Sequence, residues 1–349
     1  MNQEYLKSLL NNLTKEETEK TLHANSRVLL VDSMNTFIRC FAMVNHINPN
    51  GNHTGGLTGF IKSVAYAIRI IQPTKVVLVF DGPGSTTNKK NLYPAYKGNR
   101  NINRITNWDI FDNKDEEVES MANQLMRLVE YMKLLPVHML SIEKIEADDV
   151  IGYLCGQLYD KCESIHIMSA DTDFYQLVND KVQVYSPVKK KFYTPSLIRE
   201  EYGLHPHNYL TYKILMGDSA DNLPGIEGLG KKKIAKIFPD IFGEKNYSLD
   251  ELLKYNKTIL SNHMINTRVD ACTGQLKINE ILMNIIEPNI DENVKSFILE
   301  KIHLPVHYNK MKFITMWNND KLGGQINVDY YLDNNFKYLQ NFKEQNDIK

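Results

Sequence analysis

Three apolar runs constrain this chain more than any other feature. RVLLVD (27–32) ends on Asp32, KVVLVFD (75–81) ends on Asp81, and SIHIMSADTD (164–173) runs into Asp171 and Asp173. Between and around them lie helix-period patterns at 57–71, 116–134 and 147–160. A strand buried on both faces has no polar side, so it reads as a continuous apolar run. Helices between such runs act as crossovers, and the result is a mainly parallel sheet covered on both faces. The expected fold class is α/β.

Ligands of an open parallel sheet bind just outside the carboxyl ends of its strands. Asp32, Asp81, Asp171 and Asp173 all fall at or just past such ends. KIEADDVIGYL (144–154) adds Glu146, Asp148 and Asp149 immediately before a helix pattern, and MGDSADNLPG adds Asp218 and Asp221. Helix capping explains one or two acids. It does not explain five separate acidic clusters directed to one edge. Carboxylates crowded in one place raise one another's pKa, and divalent cations remove that conflict. Oxygen ligands without nearby His or Cys suit Mg²⁺ or Mn²⁺ and not Zn²⁺. Two such ions are a known device for phosphodiester cleavage.

Residues 82–115 break the strand–helix rhythm. The stretch is long, polar and basic, with Lys89, Lys90, Lys97, Arg100 and Arg104 among Tyr93 and Tyr96. Connections of this length are usually functional or disordered, and tyrosines among lysines are placed to stack on bases. Asp109, Asp112, Asp115, Glu116 and Glu117 read as a solvated face. Further on, GIEGLGKKKIAKIF (225–238) sets Gly225, Gly228 and Gly230 before Lys231, Lys232 and Lys233. Glycines let a backbone approach a phosphate, and lysines at a helix N-terminus oppose its dipole unless a polyanion binds there. A surface turn before a solvated helix is the alternative. Lys189, Lys190 and Lys191 read as a hairpin turn between VQVY and FYT.

The net charge of −1 excludes bulk basicity, so nucleic-acid affinity must come from local patches. Four scattered cysteines, with no CxxC spacing, point to reduced thiols. No apolar run approaches a membrane span, and the N-terminus lacks a signal-peptide core, so a cytoplasmic location is expected. Leu6, Leu9, Leu10 and Leu13 give 3–22 the spacing of an amphipathic helix that packs on the body.

The ordered set FDG, YPAYKGNR, IEADD, SADTDFYQL and GDSADNLPGIEGLGKK resembles the structure-specific 5′-nucleases. These are the flap endonucleases and the phage and bacterial 5′-3′ exonucleases, and the phage and bacterial branch is the nearest. The similarity spans roughly 27–240. It implies a PIN-like domain with a central, mainly parallel sheet flanked by helices, and a mainly helical part with a helix–three-turn–helix element at about 208–238. The implied organisation is an N-terminal helical extension (1–25), the nuclease domain (26–204, with an arch or clamp at 82–115), a DNA-binding helical region (205–303) and an unassigned tail (304–349).

The same resemblance implies roles for residues. Asp32, Asp81, Glu146, Asp148, Asp171, Asp173 and Asp218 match its metal-binding acids, and Asp149 and Asp221 match extra acids of the phage and bacterial members. Lys97 matches a catalytic lysine, Arg100 a phosphate-contacting base and Tyr96 an aromatic beside them. The 225–233 turn matches the element that grips duplex backbone, often with K⁺. Arg104 joins the expected DNA-binding set.

The implied activity is divalent-metal-dependent cleavage of 5′ flaps, nicked duplex DNA and RNA–DNA hybrid in replication and primer removal, leaving 5′-phosphate ends. A phage source, a monomer and a single-strand-binding protein as partner belong to the same expectation. Two rival readings remain: a non-catalytic branched-DNA-binding protein, which needs the basic elements but not nine acids, and a PIN-type ribonuclease, which needs the acids but not the helix–three-turn–helix part or a basic arch.

Overall fold

The computed structural model describes residues 26–100, 106–258, 264–322 and 327–344. The expected helix at 3–22 and Arg104 lie outside the described residues. Six strands form the main sheet: β1 Arg27–Asp32, β2 Lys75–Asp81, β3 His138–Ile142, β4 Ser164–Met168, β5 Val182–Ser186 and β6 Lys191–Tyr193. Their spatial order is β3-β2-β1-β4-β5-β6. The first five pair in parallel, and β6 folds back antiparallel on β5. The third expected strand ends at Met168 with its acids just beyond it, where 172–177 wind into a 3-10 helix capped by Asp171. The expected hairpin at the lysine run is present between β5 and β6, with Lys190 left-handed at φ 52°.

The helices are α1 Ser33–Met43, α2 Gly55–Ile71, α3 Thr87–Leu92, α4 Lys114–Met132, α5 Ala147–Leu158, α6 Pro195–Tyr202, α7 Tyr209–Met216, α8 Lys231–Ile237, α9 Leu249–Thr258, α10 Met264–Met283, α11 Glu292–His303, α12 Lys310–Asn319 and α13 Val328–Glu344. Side-chain alternation along β1 divides two cores. Val28 and Leu30 pack with Val77, Val79, Ile151 and Leu154 on one face. Leu29 and Val31 pack with Leu78, Phe37, Phe60 and Leu128 on the other. None of these is more than 1% exposed. Burial of each contributes about 1.5–3 kcal/mol, which explains why β1 carries no polar residue between Arg27 and Asp32.

Strand order reverses about β1, which pairs with β2 on one side and with β4 on the other. That reversal opens a crevice at the carboxyl ends of the three strands. Two glycines permit the close packing around it. A Cβ on Gly82, the residue after Asp81, would lie 1.6 Å from the Ile142 carbonyl oxygen. A Cβ on Gly152 of α5 would lie 1.8 Å from the Ile285 carbonyl oxygen.

The 304–349 stretch contributes two helices to the second core. Phe313 and Trp317 of α12 pack edge-on against Tyr131 at 4.9 and 6.1 Å, and Leu332 and Phe336 of α13 are buried. Asp320 accepts from Arg127 Nε at 2.7 Å, Arg127 Nη2 at 2.8 Å and the Tyr131 hydroxyl at 2.7 Å. Among the described residues, no helix is long and apolar enough to cross a membrane.

Candidate metal centre and active site

The acids at the crevice serve local structure and the cluster together. Asp32 caps α1 by accepting from Asn35 N at 3.3 Å, and its other oxygen accepts from Ser169 Oγ at 2.8 Å. Asp81 Oδ1 accepts from Ala147 N at 2.9 Å, so the end of β2 caps the helix that carries the EADD acids. Glu146 makes no side-chain cap bond to α5, and its carboxylate turns inward.

Asp32, Asp81, Glu146, Asp148, Asp171 and Asp173 line one cavity of roughly 210 Å³, together with Lys97 and Arg100. Of the expected acids, Asp149, Asp218 and Asp221 stand outside this lining. Asp149 faces a second cavity behind α3. Lys213 Nζ ties Asp218 to the cluster by bridging Asp173 Oδ1 at 2.5 Å and Asp218 Oδ2 at 2.6 Å. Asp221 Oδ1 accepts from Arg100 Nη2 at 2.5 Å.

Tyr96 is 1% exposed, so its ring is not open to a base, contrary to the stacking expected for the tyrosines. Its hydroxyl lies 2.9 Å from Glu146 Oε2 and 3.1 Å from Asp221 Oδ2, where it braces two acids. Lys97 Nζ bonds Glu146 Oε1. Its backbone is left-handed at φ 53°, and its N–H donates to the Asp221 carbonyl at 2.9 Å. A non-glycine residue in that conformation costs on the order of 1–3 kcal/mol, and such strain gathers at functional sites.

Glu117 also departs from expectation. It is fully buried and not part of a solvated face. It accepts from Thr106 N at 2.7 Å and Asn107 N at 2.8 Å, and it pairs with Lys114 at 2.6 Å. Burial opposes its charge, but these bonds outweigh it and hold the carboxyl at about 2. Glu117 therefore fastens one foot of the basic connection.

The electrostatics are those of a site short of positive charge. Burial pushes Asp32 up to about 7, against the bonds from Ser169 and Asn35. Burial and the neighbouring Asp171 push Asp173 up to about 7 against Lys213. Burial takes Asp149 to about 7 despite Lys89, and Asp148 adds to the push. Burial raises Asp81 and Asp171 as well, against the bond from Ala147 N and the charge of Lys97 at Asp81, and against the bond from Asp173 N and the charge of Lys213 at Asp171. Glu146 goes the other way. Burial would raise it, but Lys89 and Lys97 hold it at about 2. Lys213 likewise overcomes burial to keep Asp218 below the usual carboxylate range.

The donor set fits a hard divalent cation. The cavity lining holds carboxylates and no His or Cys. Among the described residues, Glu146, Asp148 and Asp149 offer ligand atoms that all lie within 4.8 Å of one another.

At the glycine turn, Ile226 N donates to the Leu215 carbonyl at 2.9 Å, which docks the turn on α7. A Cβ on Gly225 would meet Met216 backbone at 2.2 Å, and Gly228 is left-handed at φ 71°. Gly230 faces open space and precedes the exposed Lys231, Lys232 and Lys233. Lys233 Nζ donates to the Gly228 carbonyl at 2.8 Å.

Sequence reasoning missed three side chains of the centre: Lys213, Ser169 and, as a buried group, Lys89. The excess of acids over lysines was the available signal, since buried carboxylates require cationic partners.

Comparison with known proteins follows the same outline. Residues 27–203 match the family model of the 5′-3′ exonuclease N-terminal resolvase-like domain. A 5′-3′ exonuclease of Buchnera aphidicola (from Acyrthosiphon pisum) is 30% identical over 284 residues, covering 79% of this chain and 93% of the relative. A 5′-3′ exonuclease of Bacillus subtilis is 34% identical over 222 residues, covering 61% of this chain and 70% of the relative. Among solved structures, a complex of the bacteriophage T5 D15 flap endonuclease with DNA and metal ions superposes with a TM-score of 0.65. It is 18% identical and covers 80% of this chain and all of that one, a likeness of fold.

Proposed function

The chain belongs to the 5′-3′ exonuclease family, and on that premise we propose that it is a divalent-metal-dependent 5′ nuclease. Its substrates are 5′ flaps, nicked duplex DNA and RNA–DNA hybrid, and its role is primer and flap removal in replication. The observation that carries this reading is the meeting of six acids from four chain segments in one cavity that also holds Lys97 and Arg100.

The reaction is hydrolysis. Water adds to phosphorus, the bond to O3′ breaks, and the products carry 5′-phosphate and 3′-hydroxyl. Asp32, Asp81, Glu146, Asp148, Asp149, Asp171, Asp173, Asp218 and Asp221 are the residues that would hold two or more Mg²⁺ or Mn²⁺ ions, which supply charge neutralisation at the attacking and leaving oxygens. Lys97 and Arg100 donate to the non-bridging oxygens as negative charge builds there. Tyr96 and Asp221 keep those two cations in place. The 82–115 connection serves as the arch over the single strand, with Arg104 as a further contact. The 225–233 turn grips duplex backbone through Gly225, Gly228, Gly230 and the three lysines, and would hold a K⁺ ion that adds positive charge toward the phosphates. The enzyme works as a monomer, with a single-strand-binding protein as a partner at the fork.

The experiment is cleavage mapping with Mg²⁺ on a 5′ flap, a nicked duplex, an RNA-primed duplex and single-stranded RNA in parallel. The proposal expects cuts at or next to the junction of the first three. Cutting of the single-stranded RNA alone would establish the ribonuclease reading. Salt-sensitive binding without any cutting would establish the branched-DNA-binding reading.

A further inference from the structure

Lys89 carries a buried ammonium at the centre that the proposed reaction does not use. Its Nζ lies 2.8 Å from Glu146 Oε2, 3.1 Å from Asp149 Oδ2 and 3.9 Å from Asp148 Oδ1. Those three residues are the same ones whose ligand atoms cluster within 4.8 Å. The Lys89 side chain is only 13% exposed. Its contacts there are with the carboxylates and, at 5.9 Å, the face of the Tyr96 ring.

The mount of this lysine is weak. Lys89 sits on α3, a six-residue helix with no buried residue and no side-chain cap bond. Beyond the ion contacts, Asn88 Nδ2 donates to the Lys144 carbonyl at 3.2 Å. A cavity of roughly 400 Å³ adjoins the ammonium, lined also by Ser85, Leu92, Lys144 and Ile281. There is room for the side chain to withdraw. Lys97, by contrast, is tied through its backbone to Asp221.

We infer that Lys89 is a tethered cation that competes with a divalent ion for Glu146, Asp148 and Asp149, so that ion uptake at these carboxylates releases α3. This rests on the metal-dependent reading proposed above. A divalent ion bound to carboxylate oxygens sits about 2.0–2.6 Å from them. An ammonium at its present distance from the same oxygens would then be a close like charge, and repulsion at that range is strong. The two cations exclude one another, and the coupling is reciprocal: whatever holds α3 down weakens the ion, and the ion loosens α3. Lys89 is thus a positioning residue that acts through the carboxylates and links metal loading to the basic connection.

The test uses the full chain without DNA. Calorimetric Mn²⁺ titrations compare wild type with Lys89→Met and Lys89→Arg, and amide hydrogen exchange follows 85–94 in wild type with and without Mn²⁺. The expected result is about tenfold tighter Mn²⁺ binding by Lys89→Met, within the span typical of coupled sites. Lys89→Arg, which keeps the charge, stays near wild type. Exchange at 85–94 accelerates when Mn²⁺ binds, a readout that stands even if Lys89→Met does not fold. Equal or weaker Mn²⁺ binding by folded Lys89→Met, or unchanged exchange at 85–94, overturns the inference. If wild type still cuts a flap with Mg²⁺ in that case, only this inference falls. If wild type neither binds Mn²⁺ nor cuts, the functional reading falls with it.

Discussion

Replacing Asp32 with Asn should make the protein more stable while disabling it. Asp32 is 9% exposed, and burial holds its carboxyl at about 7, against an ordinary 3.8. About three pKa units correspond to a ceiling of about 4 kcal/mol between the ionised and neutral forms. Part of that is offset, because Asn gives up the charge-assisted bond from Ser169 while keeping an acceptor for Asn35 N. A net gain of about 1–3 kcal/mol at pH 8 in EDTA follows, read as a rise in Tm of about 1–4 °C for a chain of this length.

The sign with pH is set by the direction of the shift. The native state binds the Asp32 proton more tightly than the unfolded chain, so wild-type stability falls as pH rises from about 4 to 7. The advantage of Asp32→Asn is therefore largest at pH 8 and fades towards pH 4. Thermal melts across that range, with EDTA and with Mg²⁺, are the assay. Saturating Mg²⁺ should shrink the gap, because an ion neutralises what the substitution removes. A variant less stable than wild type at pH 8 in EDTA, or a gain independent of pH, would refute the reasoning.

Three other outcomes follow from the same structure. Lys97→Ala should lower kcat about 10²-fold with flap affinity nearly unchanged in binding assays, since Lys97 acts on charge that develops in the transition state. Gly82→Ala should destabilise the protein by about 1–3 kcal/mol in urea unfolding and weaken Mn²⁺ uptake, because its Cβ would strike the Ile142 carbonyl and part Asp81 from α5. Trp317→Ala should cost about 3–5 kcal/mol, because Trp317 is 1% exposed and packs on Tyr131.

Much of the centre was legible because its strands are buried on both faces. In such strands the first carboxylate marks the end, and Asp32 and Asp81 did so. Edge strand β3 was not legible. HMLSI has one β-branched residue and is only partly buried, so neither composition nor alternation marks it. Buried charges were missed for a related reason. Lys213 meets Asp173 from 40 residues away, and Lys89 meets Glu146 from 57. On a local helical pattern each reads as a solvated lysine. Glu117 and Tyr96 were misread likewise, since their burial depends on backbone that folds over them. The 304–349 stretch resisted assignment because its apolar residues belong to a core founded by β1 and α2, which no local window contains.

The central claim is that acids from distant segments form one cation-dependent hydrolytic centre. Its most direct test is the single-turnover rate of 5′-flap cleavage against Mg²⁺ concentration for wild type, Asp81→Ala and Asp171→Ala. The account predicts Mg²⁺-dependent incision by wild type and a loss of at least about 10³-fold in both variants. Equal rates in the variants, or wild-type incision that persists in EDTA, would contradict it.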